Sequence, residues 1–252
     1  MKKHIPNFIT LLNLLSGLIA VILALKGELT LASLFILLGI LFDFFDGFAA
    51  RLLNVSGELG KQLDSLADLV TSGVAPAMIM YKLLSQSQSH TNWYQDFSCT
   101  IGSWASEHNN TIYFFPFIGM LLAIAAAYRL ANFNIDERQT SSFIGLPTPA
   151  MSLFIAAIPL ILMYSNNVLA KNVFLNKYVL IGITIILSLL MNANISLFSL
   201  KFKNYSFKDN AFVYLFLIAS LLLLLIFKFV AIPIIITIYV VFSLVQNNFK
   251  KQ

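Results

Sequence analysis

Four aspartates, Asp43, Asp46, Asp64 and Asp68, stand in otherwise largely apolar sequence, the stretch FDFFDGFAARLLNVSGELGKQLDSLADLV from Phe42 to Val70. A charge at mid-bilayer costs about 2.5–3.5 kcal/mol, so four facing lipid would cost on the order of 10 kcal/mol. They must face a cavity or a cation instead. Their spacing lets them converge. Asp43, Asp46, Gly47, Ala50 and Arg51 fall on one stripe of an α-helix, and Gly60, Asp64 and Asp68 on one stripe of the next. A short turn around Asn54 to Glu58 joins the two, which predicts antiparallel neighbours with their carboxylates at similar depth. Carboxylates that close cannot all stay ionised without compensation. Divalent cations resolve the conflict, and all-oxygen ligation favours Mg²⁺, Mn²⁺ or Ca²⁺ over zinc or copper. Two such ions would form a clamp for displacement at phosphorus. Gly47, Ala50 and Gly60 leave room for a bulky substrate group, and Arg51 offers phosphate a charged fork. Read as residues alone, the quartet also suits a cation path in a transporter.

The elements that carry these residues belong in a membrane. Of 252 residues, 59% are hydrophobic and 11% charged, and 23 are Phe. Soluble domains average about 45–50% apolar and about 25% charged, so a water-soluble enzyme and a disordered chain are both excluded. Runs long enough to span number about eight. They lie near 8–25, 30–53, 59–84, 112–132, 148–164, 174–198, 211–227 and 229–247. The expected fold class is therefore all-α, a polytopic integral membrane helical bundle. Pro233 falls in a first helical turn and Pro159 within the fifth span, where its neighbours must absorb a kink. The first run is too long for a signal-peptide core and is read as a retained helix.

Basic residues orient the bundle. With the N-terminus inside, Lys2, Lys3, Arg51, Lys61, Arg129, Arg138, Lys201, Lys203, Lys208, Lys250 and Lys251 are internal, against Lys26, Lys82, Lys171, Lys177 and Lys228 outside. The positive-inside rule then puts the aspartates at the cytoplasmic face, and the lysine-free and arginine-free stretch from Ser85 to Thr111 outside. The net charge of +5 forms no dense patch, so nucleic-acid binding has no support. The lone Cys99 and the dispersed His4, His90 and His108 offer no disulfide or zinc site, and no serine has a matched base.

The segment fits D-x2-D-G-x2-A-R-x8-G-x3-D-x3-D at every fixed position. It resembles the signature of the CDP-alcohol phosphotransferase family, whose members transfer a phosphatidyl or similar group from a CDP-linked donor to an alcohol and release CMP. The resemblance implies a six-helix catalytic core within residues 1–198 (with 85–111 as an external loop), followed by a two-helix hairpin over 199–252. It implies that Asp43, Asp46 and Asp64 bind a divalent pair, and that Asp68 joins them and acts as base on the acceptor hydroxyl. Gly47, Ala50 and Arg51 would hold the cytidine diphosphate part, with Gly60 making space beside it. A homodimer is expected on the same ground, and the charge bias, with the apolar runs, leads to the expectation of a multi-pass protein of the cell's inner membrane with its site facing the cytoplasm.

The acceptor must be sought elsewhere. IPNFITLLNLLSGLIA at the N-terminus, YRLANFN at 128–134 and FIGLPTPA at 143–150 are similar to serine-using members of the family from bacteria and archaea. This resemblance implies CDP-diacylglycerol and L-serine as substrates. Arg129 would pair with a serine carboxylate or with donor phosphate, with Asn132 and Asn134 nearby; alternatively, Arg129 is an interfacial residue and Asn132 a helix-end group. Asn7, Thr10 and Asn13 face the cytidine or serve as polar glue between helices. Glycerol 3-phosphate, inositol phosphate and myo-inositol are the rival acceptors. A phosphorylated one would need a basic cluster that Arg51, Arg129 and Arg138 supply thinly.

Overall fold

The structure is a computed structural model that describes residues 4–55, 57–87, 114–135, 145–195, 197 and 211–249. Residues 88–111 of the predicted external loop, with Cys99, His90 and His108, and Arg138 and the lysines at 2, 3, 201, 203, 208, 250 and 251 lie outside the described residues, while Ser85 and Gln86 end α4. Every regular element described is helical. In chain order these are α1 (His4–Leu25), α2 (Leu29–Leu52), α3 (Glu58–Asp68), a π-helical turn (Leu69–Val74) and α4 (Ala75–Gln86). A 3₁₀ turn (Phe115–Met120) then leads into α5 (Leu121–Ile135), followed by α6 (Thr148–Tyr164), α7 (Val168–Leu175) and α8 (Lys177–Asn192). α9 (Ala211–Phe227), a 3₁₀ turn (Lys228–Val230) and α10 (Ala231–Phe249) complete the set.

The first two helices bury mainly small and polar residues and expose many of their large apolar ones. α1 turns Thr10, Asn13, Ser16, Gly17, Ala20 and Ala24 inward and leaves Phe8, Leu11, Leu15, Leu18 and Ile22 outside. α2 does the same, with Ala32, Ser33 and Gly39 buried against exposed Leu34, Leu38, Leu41, Phe44 and Phe48. In water this pattern would be inverted. In lipid the apolar outer surface is solvated by acyl chains, and small residues let helix backbones approach. The chain is a multi-pass membrane bundle.

α1 and α2 form an antiparallel hairpin. Gly27 ends α1 at φ 87°, with Glu28 N–H on the Leu23 carbonyl at 2.9 Å and Gly27 N–H on that of Ala24 at 3.0 Å. That pair of bonds is a Schellman cap, and its left-handed residue favours glycine. α6 is the central helix: Met151, Ser152 and every residue from Ile155 to Ile161 are buried, Pro159 included. The π-helical turn lies at the heart of the bundle and packs on α1, α2, α5 and α6. Pro76, just beyond it, has no N–H to close on Ser72, and a wider turn avoids the clash of its ring with that carbonyl.

The eight predicted spans are met unevenly. Five stretches are long and apolar enough to cross: His4–Leu25, Leu29–Leu52, Glu58–Gln86, Phe115–Ile135 and Tyr214–Leu244. α6 has 17 residues, one turn shorter than the usual span. The predicted sixth span, 174–198, is not one helix: α7 and α8 meet at a 75° bend, with Asn176 capping the N–H of Tyr178 at 2.9 Å. Tyr214–Leu244 is not a single rod either. Lys228 adopts φ 51°, and the Phe216 and Tyr239 rings sit 5.9 Å apart, where a straight helix would separate them by roughly 35 Å. α9 and α10 are therefore antiparallel partners, and their turn meets the end of α6 through Phe229 and Tyr164, 5.9 Å apart.

Candidate metal centre and substrate cavity

The last turns of α2 and the length of α3, down to its final residue Asp68, build the centre. Asn54, left-handed at φ 51°, reverses the chain between them, a conformation asparagine tolerates better than most residues. The reversal brings Asp43, Asp64 and Asp68 together, with one carboxylate oxygen from each within 4.8 Å of the others. Among the described residues no lysine or arginine forms a salt bridge with any of the four aspartates. Oδ1 of Asp64 and Oδ2 of Asp46 are buried without a hydrogen-bond partner. Buried carboxylate oxygens without a partner are costly unless a cation compensates them. Oxygens around Mg²⁺ lie about 2.0–2.1 Å from the ion and so about 4 Å apart across it, and Ca²⁺ sets them wider. Small rotations of Asp43, Asp64 and Asp68 would close on a hard dication, so the donor set fits one.

Asp46 stands apart from this trio. It is 5% exposed, beside Thr10 and the Gly47 N–H, and it lines a cavity of about 540 Å³ together with Asp64. The cavity wall also includes Asn7, Thr10, Gly47, Ala50, Gly60 and Lys61. A Cβ built on Gly47 would meet nothing within 4 Å, so that wall is open backbone. The spacing that placed small residues beside the carboxylates is therefore realised as a groove.

Other expected site residues are placed less simply. Arg51 is exposed and outside the cavity wall, its Nε donating to the Gly47 carbonyl at 3.0 Å. Arg129 is buried between helices: it is 8% exposed, its Nε has no hydrogen-bond partner, and its charge acts on Asp68. Asn132 is half-buried on α5. Asn134 belongs to a tie between helices, its Nδ2 donating to Ser65 Oγ at 3.0 Å and its carbonyl accepting from Lys61 Nζ at 3.1 Å. Lys61 thus lines the cavity and clasps the end of α5, two roles that a cytoplasmic charge count could not separate.

Asn13 is a constituent of the centre that sequence reasoning only approached. Its Nδ2 donates to Asp68 Oδ1 at 3.1 Å. The signal was its step with Asn7 and Thr10 along one face of α1. Asn7 and Thr10 face the cavity, whereas Asn13, one turn deeper, faces the carboxylates.

Residues 3–190 match the family described as CDP-alcohol phosphatidyltransferase, which covers all four aspartates and the cavity. The chain belongs to that family. Among curated proteins it is similar to the CDP-diacylglycerol–serine O-phosphatidyltransferase of Bacillus subtilis, 38% identical over 151 residues, 58% of this chain and 70% of that protein. It is also similar to the archaetidylserine synthase of Methanothermobacter thermautotrophicus, 30% identical over 165 residues, 64% of this chain and 60% of that one. The Helicobacter pylori CDP-diacylglycerol–serine O-phosphatidyltransferase is 28% identical over 218 residues, 84% of this chain and 79% of its own. The family match ends before α9, so the two C-terminal helices lie beyond it.

Proposed function

We propose that this membrane protein is a phosphatidylserine synthase, which moves the phosphatidyl group of CDP-diacylglycerol to the hydroxyl of L-serine and releases CMP. One observation carries the reading: Asp43, Asp64 and Asp68 converge within 4.8 Å beside a cavity whose wall holds Asp46, Gly47, Ala50 and Gly60. The names of the Bacillus and Helicobacter relatives support serine as acceptor.

In this reading the nucleotide enters the groove over Gly47, Ala50 and Gly60, with Asn7 and Thr10 offering hydrogen bonds along α1. Asp43, Asp46, Asp64 and Asp68 hold two divalent ions, Mg²⁺ or Mn²⁺ (Ca²⁺ being a third hard-oxygen candidate). When bound, such ions neutralise the diphosphate and stabilise charge on the departing CMP. Asp68 takes the proton from the serine hydroxyl as its oxygen attacks the phosphorus that carries diacylglycerol; the bond from that phosphorus to the CMP oxygen breaks. With Oδ1 engaged by Asn13, Oδ2 of Asp68 is the oxygen for this proton. Direct displacement needs no covalent intermediate, and among the described residues no nucleophile with a matched base stands beside the trio. Arg129, buried and partly unpartnered, balances the serine carboxylate or a donor phosphate, with Asn132 nearby; Arg51, one helical turn beyond the cavity-lining Gly47 whose carbonyl it bonds, swings toward phosphate when substrate is bound.

The excess of basic residues at the end bearing the aspartates supports a cytoplasm-facing site in the inner membrane. We take residues 1–198 as the catalytic unit, 199–252 as an appended transmembrane hairpin, and the working form as a homodimer. Purified protein given CDP-diacylglycerol with labelled serine, glycerol 3-phosphate or myo-inositol tests the acceptor. Serine alone should yield labelled phospholipid and CMP. Preferential use of either competitor would reassign the substrate, and no CMP release with any alcohol would remove the enzyme reading.

A further inference from the structure

Regular α-geometry stops immediately after Asp68, at the π-helical turn Leu69–Val74. π-turns inside α-helices occur often at functional sites, because they reset the direction of the residues that flank them. This one is fixed from several sides. Thr71 is 0% exposed and its Oγ1 donates to the main-chain carbonyl of Asn13 at 3.0 Å. Asn13, also 0% exposed, returns to the same helix through its Nδ2 on Asp68 Oδ1 at 3.1 Å. The two bonds close a ring: Asp68, the π-turn, Thr71, Asn13 and Asp68 again. Glycines admit Thr71 to this position. A Cβ at Gly17 would overlap Thr71 Oγ1, and one at Gly39 would overlap Thr71 Cγ2 and come within 3.0 Å of Asn13 Oδ1.

The other end of the Asn13 amide is unmet: Oδ1 is buried with no hydrogen-bond partner. An unpaired buried carbonyl destabilises the fold, and an apolar side chain here would avoid that cost. What Asn13 supplies in return is one donor, directed at Asp68. Polar glue between α1 and its neighbours would not need that direction.

We propose that Asn13 and Thr71 are positioning residues for Asp68: Thr71 locks the backbone of α1 to the π-turn, and Asn13 holds Oδ1 so that Oδ2 alone is presented to the reaction. This rests on the reading of Asp68 as the base. Misplacing a reacting group by about 1 Å can cost about 100-fold in rate, so the pair should govern kcat rather than donor binding.

The test uses the full-length protein purified in mixed micelles with saturating Mn²⁺, measuring CMP release against CDP-diacylglycerol and serine concentration. Thr71→Val removes the hydroxyl at constant shape, Thr71→Ser keeps it, and Asn13→Ala removes the donor without crowding Gly39. Thr71→Val and Asn13→Ala should lower kcat about 10- to 100-fold with KM for CDP-diacylglycerol within about twofold of wild type, and Thr71→Ser should retain most of the rate. If Thr71→Val fails to fold, Asn13→Ala carries the test. Wild-type kcat in either folded variant, or equal losses in Thr71→Ser and Thr71→Val, overturns the proposal. Asp68→Asn separates the two layers. An active Asp68→Asn removes the underlying reading, whereas an inactive one beside wild-type-like Asn13→Ala removes only the positioning.

Discussion

Two glycines on α2, eight residues apart, should respond to the same methyl group in opposite ways. At Gly39 a Cβ would strike Thr71 Cγ2 and approach Asn13 Oδ1 at 3.0 Å; at Gly47 it would meet nothing within 4 Å. Replacing glycine by alanine inside a helix favours the helix by about 1 kcal/mol. Overpacking a close-packed site costs about 1–3 kcal/mol. Gly39→Ala should therefore lose up to about 2 kcal/mol net, while Gly47→Ala should gain up to about 1 kcal/mol. The methyl at Gly47 points into the cavity, however, and the same 1–3 kcal/mol of crowding against bound nucleotide corresponds to about a 5- to 150-fold rise in KM for CDP-diacylglycerol. Thermal unfolding in detergent and initial-rate kinetics at saturating serine measure the two effects. A Gly47→Ala protein that melts below wild type while keeping the wild-type KM would refute the reasoning, because its groove would then be structural space and no substrate path.

Other substitutions probe separate parts of the account. Mn²⁺ at about 100 times its dissociation constant should stabilise the wild-type fold by about 2.7 kcal/mol, seen as a rise in unfolding temperature that Asp64→Asn abolishes. An equal rise in both proteins would place the ion elsewhere. Arg129→Gln should raise KM for serine at least about tenfold and leave KM for CDP-diacylglycerol within about threefold; the reverse ranking would move Arg129 to the donor phosphate. Gly145, at φ 72° with its Cβ position blocked by the Met191 carbonyl, should tolerate no side chain. Gly145→Ala should cost about 2 kcal/mol or more, read as a lower unfolding temperature, and a wild-type melt would show that the segment before α6 is free to shift.

Much of the centre was legible in the sequence because it is local. Asp43 and Asp46, and Asp64 and Asp68, are linked by helical spacing, and a short turn leaves the two helices little choice but to pair. The partners of those carboxylates were less legible. Asn13 and Asp68 lie 55 residues apart, and an asparagine on an apolar helix looks the same whether it bonds a backbone or a carboxylate. The π-turn was invisible because LVTSGVAPA continues the helical pattern on either side of it; Pro76 was its one mark. Arg129 ends a hydrophobic run, where long cationic side chains usually reach water, and only packing by other helices shows it to be buried. The break between α7 and α8 carried a sign in Asn176-Lys177, two polar residues inside a predicted span, while the α9–α10 reversal at Lys228 fell where the sequence had separated its last two segments.

The central claim is that Asp43, Asp64 and Asp68 hold a hard dication against a CDP-linked lipid. The direct measurement is CMP released from CDP-diacylglycerol on addition of serine, by wild type and by each Asp→Asn variant, across a titration of Mg²⁺ or Mn²⁺ after chelation. The account predicts no release without metal, full recovery in wild type on metal addition, and none in any of the three variants at any metal concentration. Release that proceeds at the wild-type rate in the chelated protein, or in a variant lacking one of these carboxylates, would contradict it.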